Sequence, residues 1–371
     1  MEQLHSYVKI RLVAIAAVMC LAFTSSAQDP AFSLFNINQI YLNPAFAGSN
    51  GDLTVGLNSR AQWTRVPSRF QTNMAHVTGA CPNWNMGFGL RVFDDTEGEG
   101  YMRNTNAAAL VAVHLPGRFG NGLRALRHKK FIWSFGMQVA FGQRRLDWED
   151  LVFSDQLDPY LGLYLNQSQV NPQNEVSNLV VDLGAGTRFR FNFGSRGSHV
   201  SLGLAMFHIN QPVESFFGLE TRLLPRTTAY AYTHFQTSRF TNDPHYLSIG
   251  WVADYQQVLR TNTFNINYDV MSNMLIGLSY RKKHVFMVDN DFDAFIVSFM
   301  YSIGDLTLGY SYDLTLPHLG VENTAGTHEF GVVYTFKDSY ICRRGRRRPR
   351  ALDCFSLGWG STERSSNYWR Q

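Results

Sequence analysis

Apolar and polar side chains alternate with a period of two along most of the chain. Leu306, Leu308, Tyr310, Tyr312, Leu314 and Leu316 are separated by Thr307, Gly309, Ser311, Asp313 and Thr315. Phe131, Trp133, Phe135, Met137, Val139 and Phe141 alternate with Ser134, Gly136, Gln138, Ala140 and Gly142. Val181, Leu183, Phe189 and Phe191 alternate with Asp182, Gly184, Arg188, Arg190 and Asn192. A period of two is the signature of strands whose two faces meet unlike surroundings. The pattern predicts about fourteen strands, near 52–64, 69–79, 84–94, 101–114, 131–144, 179–193, 198–209, 226–238, 245–256, 260–269, 273–282, 291–302, 305–316 and 326–337. Twelve is the alternative, with the eighth to tenth segments in question.

A soluble sandwich alternates too, so three further features decide. The segments run to about 10–13 residues, where strands of ordinary sheets average about 5–6. Their polar phase carries Gly, Ser, Asn, Arg and Asp, as a wet lumen would. Aromatics stand near segment ends, at Trp63, Trp84, Tyr101, Trp148, Tyr246 and Tyr301, like the girdles at membrane interfaces. In lipid a sheet persists only when closed, because no water satisfies an open edge. The expectation is an all-β fold: a transmembrane, antiparallel outer-membrane β-barrel. An even strand number puts both barrel ends on the periplasmic side. Long odd-numbered connections (145–178, 210–225, 317–325) against tight even ones (194–197, 303–305) fit that arrangement. The basic connection 115–130 is the exception.

Composition narrows the classes. Of 371 residues, 45% are hydrophobic, 14% aromatic and only 17% charged, against about 25% charged in soluble domains. The aromatics exclude a disordered chain. Mean hydropathy is −0.18, and no apolar run of about 18 residues follows the amino-terminal region, which excludes a helical membrane bundle. Residues 1–27 read as a secretory signal: Lys9 and Arg11, an apolar stretch from Leu12 to Phe23, then Ser25-Ser26-Ala27. Cleavage is expected between Ala27 and Gln28. Residues 28–50 then form a plug or collar, 51–337 the barrel and 338–371 a basic periplasmic tail. That tail holds Arg343, Arg344, Arg346, Arg347, Arg348 and Arg350, candidate contacts for a periplasmic partner or an anionic surface. Nucleic acid is not expected.

Candidate chemistry changes little. Cys81, Cys342 and Cys354 follow the signal; export permits disulfides, and Cys342 and Cys354 can close a loop in the tail. The run Asp94-Asp95-Thr96-Glu97-Gly98-Glu99-Gly100 reads as an acidic outer loop whose spacing does not match a twelve-residue calcium loop. Histidines are scattered without HExxH, and no phosphate loop or nucleophile elbow occurs. The residues predict no catalytic, cofactor or metal site, hence no enzyme.

Several stretches resemble one family. Gln28-Asp29-Pro30-Ala31-Phe32-Ser33 and Tyr41-Leu42-Asn43-Pro44-Ala45-Phe46-Ala47-Gly48-Ser49 are similar to the mature amino terminus of PorP/SprF membrane proteins. Arg60-Ala61-Gln62-Trp63, Gly277-Leu278-Ser279-Tyr280-Arg281, Gly309-Tyr310-Ser311-Tyr312-Asp313 and Thr327-His328-Glu329-Phe330 follow in family order. The motif residues of note are Asn43, Pro44, Gly48, Tyr310, Tyr312, Asp313, His328 and Glu329. The resemblance implies an outer-membrane barrel of the type IX secretion system in a Gram-negative bacterium. It further implies a role in secretion or surface attachment of adhesins, in some bacteria supporting gliding motility. Implied partners are periplasmic ring proteins, a peptidoglycan-binding OmpA-like protein and a secreted adhesin. An alternative reading is a transport barrel for a hydrophobic or small polar solute, with 28–50 as its hatch.

Overall fold

A computed structural model describes residues 29–342, apart from 67–68, 82–83, 99–101, 118–130, 148–150, 159, 161, 164–175, 194–197, 215–220, 238–244, 258, 272, 286–291, 316–319, 338 and 340. Ala27, Gln28, Cys354 and the arginines between 343 and 350 lie outside the described residues, as do Tyr101 and Trp148.

Fourteen strands close into one antiparallel barrel. The first seven are β1 (Leu53–Gln62), β2 (Arg69–Cys81), β3 (Met86–Gly98), β4 (Met102–Gly117), β5 (Phe131–Arg145), β6 (Val180–Asn192) and β7 (His199–Phe207). The rest are β8 (Arg226–Gln236), β9 (Tyr246–Gln256), β10 (Leu259–Met271), β11 (Met274–Val285), β12 (Phe292–Ile303), β13 (Leu306–Thr315) and β14 (Thr327–Phe336). Each pairs with its chain neighbour. The ring closes where β1 meets β14, from Leu53 opposite Phe336 to Gln62 opposite Thr327. The count is fourteen, not twelve: β8 to β10 pair in unbroken register.

The alternation sorts side chains between two environments. On β5, Trp133, Phe135, Met137, Val139 and Phe141 face out, whereas Ile132, Ser134, Gln138 and Ala140 are buried within. Met137 is 69% exposed and its neighbour Gln138 only 3%. That contrast is inside-out for a soluble protein, and correct for a barrel whose exterior is hydrocarbon. No helix among the described residues is long and apolar enough to cross a membrane; the crossing is made by strands.

Three expectations are corrected. The acidic run is no loop as far as Gly98, because β3 continues through it. Alternation sends Asp94 outward to Arg103, at 2.7 and 3.0 Å, and Asp95 inward to the Thr72 hydroxyl at 2.6 Å. The Asp94 and Asp95 carboxylates therefore point to opposite faces of the wall. Tyr246 begins β9 but points inward, buried and stacked on His234 at 4.5 Å, so it belongs to no girdle. Finally, Cys342 pairs with Cys81 and not with Cys354.

The reason for that pairing lies at the barrel's rim. After β14 the chain passes beneath β1 and β2. The Leu53 amide donates to the Ser339 carbonyl at 2.9 Å, and the Ile341 amide to the Ala80 carbonyl at 3.0 Å. These bonds carry Cys342 to the last residue of β2, with Cα atoms 4.9 Å apart, inside the range a disulfide spans. In the Cys342→Ser variant, Cys81 is expected to react with a maleimide under denaturing, non-reducing conditions. In Cys354→Ser it stays blocked, as mass spectrometry would show.

Candidate functional site: a segment threaded through the lumen

Residues 29–50 lie inside the barrel, where Phe32, Leu34, Ile37, Ile40, Ala45, Phe46 and Ala47 are almost fully buried. Asp29 sits near the ends of β7 and β9, and Gly48 near Gly79 and Gly87 at the opposite end of the sheet. The segment thus runs the length of the lumen before entering β1.

Asn43 and Pro44 dock its middle. The Asn43 Oδ1 accepts from the Ala45 amide at 2.8 Å and caps the single turn Pro44–Phe46, with proline at the first position where no amide is needed. The Asn43 Nδ2 donates to the Thr187 and Leu204 carbonyls, at 3.0 and 3.2 Å. These two residues face each other across β6 and β7. One amide therefore both starts the turn and fixes it to the wall. Wall glycines make the room: a Cβ on Gly136 would strike the Ala45 backbone, and one on Gly186 the Asn43 side chain. Gly48 has φ +64°, which glycine adopts without strain, and its own missing Cβ would stand 2.5 Å from the Gly87 Cα.

Ser33 is held by charge. Its amide donates to the Glu329 Oε2 at 2.7 Å and its hydroxyl to the Asp313 Oδ2 at 2.7 Å. The Glu329 Oε1 also accepts from Asn58 at 2.8 Å and from the Leu34 amide at 3.2 Å. Arg60 closes the cluster, donating to Asp313 at 2.8 Å and Glu329 at 3.1 Å. Arg281 reaches Asp313 at 2.9 Å and pairs with Asp293. Arg60, Asp313 and Glu329 are all nearly fully buried. Buried charges of this kind persist only when paired and hydrogen-bonded.

A second pin holds the beginning of the segment. The Asp29 Oδ2 lies 2.9 Å from the His208 Nε2 and 3.1 Å from the Arg226 Nη1. The other nitrogen of His208 is 3.0 Å from Asp182. Arg226 donates to the Tyr41 hydroxyl at 2.6 Å, and its guanidinium lies over the rings of Tyr41 and Phe207, at 4.5 and 4.4 Å. Burial alone would raise the Asp29 carboxyl, but His208 and Arg226 hold it well below the usual carboxylate range. Burial alone would lower the His208 imidazole, which follows the end of β7, yet Asp29 and Asp182 raise it from 6.5 to about 9. The folded value exceeds the unfolded one. The His208 contribution to the pin is therefore fully present below pH 6.5 and is lost as pH rises through about 9, while Arg226 still holds Asp29. A spin label at residue 31 is expected to gain mobility between about pH 8 and 10. In His208→Gln the step should be absent.

The motif residues separate by phase. Asp313 and Glu329 face inward and hold Ser33, while Tyr310, Tyr312 and His328 face outward. The Tyr310 hydroxyl meets the His328 Nδ1 at 2.9 Å, and the Tyr312 hydroxyl donates to the Ala325 carbonyl at 3.3 Å. Arg60, Arg281, Arg226 and His208 are not among the candidate site residues. Arg60 and Arg281 lie within the family-like stretches; the signal of Arg60 is a lone charge in the small or polar phase of its strand, whereas Arg281 opens the basic run Arg281-Lys282-Lys283. Among the described residues no cluster of three or more His, Cys, Asp or Glu could hold a metal.

The model of the family "type IX secretion system membrane protein PorP/SprF" matches residues 24–334. The chain belongs to this family. As a PorP/SprF barrel with a lipid-facing exterior, it is an outer-membrane protein of type IX secretion. No curated protein matches it in sequence. Among solved structures it is similar to CdiB from Acinetobacter baumannii, at 7% identity and a TM-score of 0.43 over 77% of this chain and 60% of that one. It is also similar to the toluene transporter TbuX of Ralstonia pickettii, at 9% identity and a TM-score of 0.42 over 81% and 93%. The outer membrane protein Omp33 of Acinetobacter baumannii gives 9% and 0.40 over 78% and 100%.

Proposed function

We propose that this PorP/SprF protein is a non-enzymatic scaffold of the secretion machinery. Its barrel is held by lipid and presents fixed surfaces on both sides of the membrane. The long connections face outward toward a secreted adhesin. The periplasmic rim and the basic tail dock ring components and an OmpA-like partner that grips peptidoglycan. Residues 1–27 are a signal removed before Gln28, and 28–50 are a plug. The supporting observation is the lumen itself: the threaded segment is fixed by the buried Arg60–Asp313–Glu329 cluster, and such a barrel suits tethering better than passage of a folded protein.

The reading is tested in a strain lacking the chain, complemented with the native protein or with a tail whose arginines between 343 and 350 are replaced by serine. Surface adhesin should disappear without the chain. Recovery of periplasmic partners by co-purification should fall with the serine tail. Normal adhesin display in the deletion strain overturns the proposal.

A further inference from the structure

The lipid-facing side of the wall changes character near one end of β3, β4 and β5. On β5 the outward side chains are apolar from Phe131 to Phe141, about 33 Å of strand at about 3.3 Å per residue. At a tilt of about 40° that spans a hydrocarbon band of about 25 Å. Gln143 and Arg145 follow on the same face, so they stand at the edge of the band, where headgroups begin. This end is remote from Leu53 and Phe336, where the chain enters and leaves the barrel, and so faces out of the cell.

Register carries the polar edge sideways. Gln143 stands opposite Thr105, and Thr105 opposite Asp94. One step further out, Arg145 stands opposite Arg103. Like charges directly opposite on one face repel, and both side chains are exposed. Asp94 takes one edge of Arg103, the Nε and Nη2, at 2.7 and 3.0 Å, and accepts from the Thr105 hydroxyl at 2.8 Å. Among the described residues the Nη1 of Arg103 has no partner, and its side chain is 59% exposed.

A groove leads away from this pair into the band. Along β4, Ala107 and Ala109 face out below Thr105. Ala107 stands between Val92 and Phe141, and Ala109 between Leu90 and Val139. The four flanking side chains are exposed and larger than alanine, so the two alanines form the floor of a shallow apolar channel. Val111 closes it one row further down.

We infer that this corner of the wall binds a glycolipid of the outer leaflet by a phosphate on its sugar headgroup. Arg103 and Arg145 supply two guanidinium forks, whose geometry matches phosphate oxygens. An anion between them removes their mutual repulsion. Gln143 and Thr105 offer neutral donors and acceptors to sugar hydroxyls, and one acyl chain lies along Ala107 and Ala109. A free phosphate would leave that channel unused. The inference is independent of the scaffold reading, since it concerns lipid on the wall and not proteins at its ends.

The test is native mass spectrometry of the purified, delipidated full-length protein, titrated with phosphorylated lipid A and with the same lipid dephosphorylated. The native protein is expected to bind one copy of the phosphorylated form at least tenfold more tightly. The combined Arg103→Gln and Arg145→Gln variant should lose that preference, and Ala107→Trp should weaken binding of the phosphorylated lipid several-fold. Lys337→Gln, which removes a cation at the opposite rim, should behave as native. Folded-barrel gel mobility confirms assembly; if the double variant fails to assemble, Arg145→Gln alone is titrated. Equal binding of the two lipids by the native protein overturns the inference, as does an unchanged preference in the arginine variant. Unchanged binding in Ala107→Trp overturns the acyl-chain channel and with it the lipid. A native dimer made monomeric by the arginine variant would overturn it too, by assigning the face to a contact between copies.

Discussion

Replacing Arg60 by leucine is expected to release the threaded segment while the barrel stays closed. Arg60 neutralises Asp313 and Glu329 at 2.8 and 3.1 Å, and all three are buried. Removing one partner of a buried ion pair leaves an uncompensated charge and costs about 3–5 kcal/mol. Arg281 still touches Asp313 at 2.9 Å but shows no contact with Glu329, so Glu329 bears most of the loss. Its carboxylate holds the Ser33 and Leu34 amides, and those contacts fail with it. The fourteen-strand ladder does not depend on them. Limited proteolysis of the solubilised barrel should cut Arg60→Leu within residues 29–50 and spare the native chain. Ser59→Ala, on the opposite face of β1, should behave as native. Equal resistance in both variants would remove the charge cluster from the account of how the segment is held.

Gly136→Val is expected to have a comparable local effect by a steric route. The new Cβ meets the backbone of Pro44 and Ala45, and backbone cannot swing aside as a side chain would. Overpacking costs typically about 1–3 kcal/mol when neighbours can adjust, and here the neighbour is a turn fixed by the Asn43 bonds to Thr187 and Leu204. The turn must lift off the wall. Gly89→Ala is the control, because its Cβ would find only ordinary contacts at 3.4 Å and beyond. Protease sensitivity of the segment should rise in Gly136→Val alone, with folded-barrel mobility unchanged in both. A Gly136→Val protein whose segment is as protected as the native one would show that the turn yields more easily than its bonds suggest.

The barrel was legible because lipid imposes a strict rule. Each strand must be apolar on alternate residues over its full length, and β5, β6 and β13 obey it nearly without exception. The tight turn at Gly304 and the closure of an even-numbered ring follow from the same rule. The site was legible only in part. Asp313 and Glu329 stand out as acids in the inward phase, and Asn43-Pro44 as a turn, but their partners on other elements come from 32 to 296 residues away. No local pattern says that Ser33 lies between them. The disulfide misled for the same reason: Cys354 is near Cys342 in the chain, whereas Cys81 is near it only once the sheet has curled round. The acidic run misled because turn-forming composition at Gly98 and Gly100 is locally indistinguishable from a strand end.

The bond between Cys81 and Cys342 links residues 261 positions apart. In the folded barrel the two sulfurs are brought together by hydrogen bonds that run across the seam between the final strand and the first. The oxidised pair is thus a covalent record of a completed cylinder. The bond ties the chain covalently across the seam where β1 meets β14, the neighbouring strands that no turn joins.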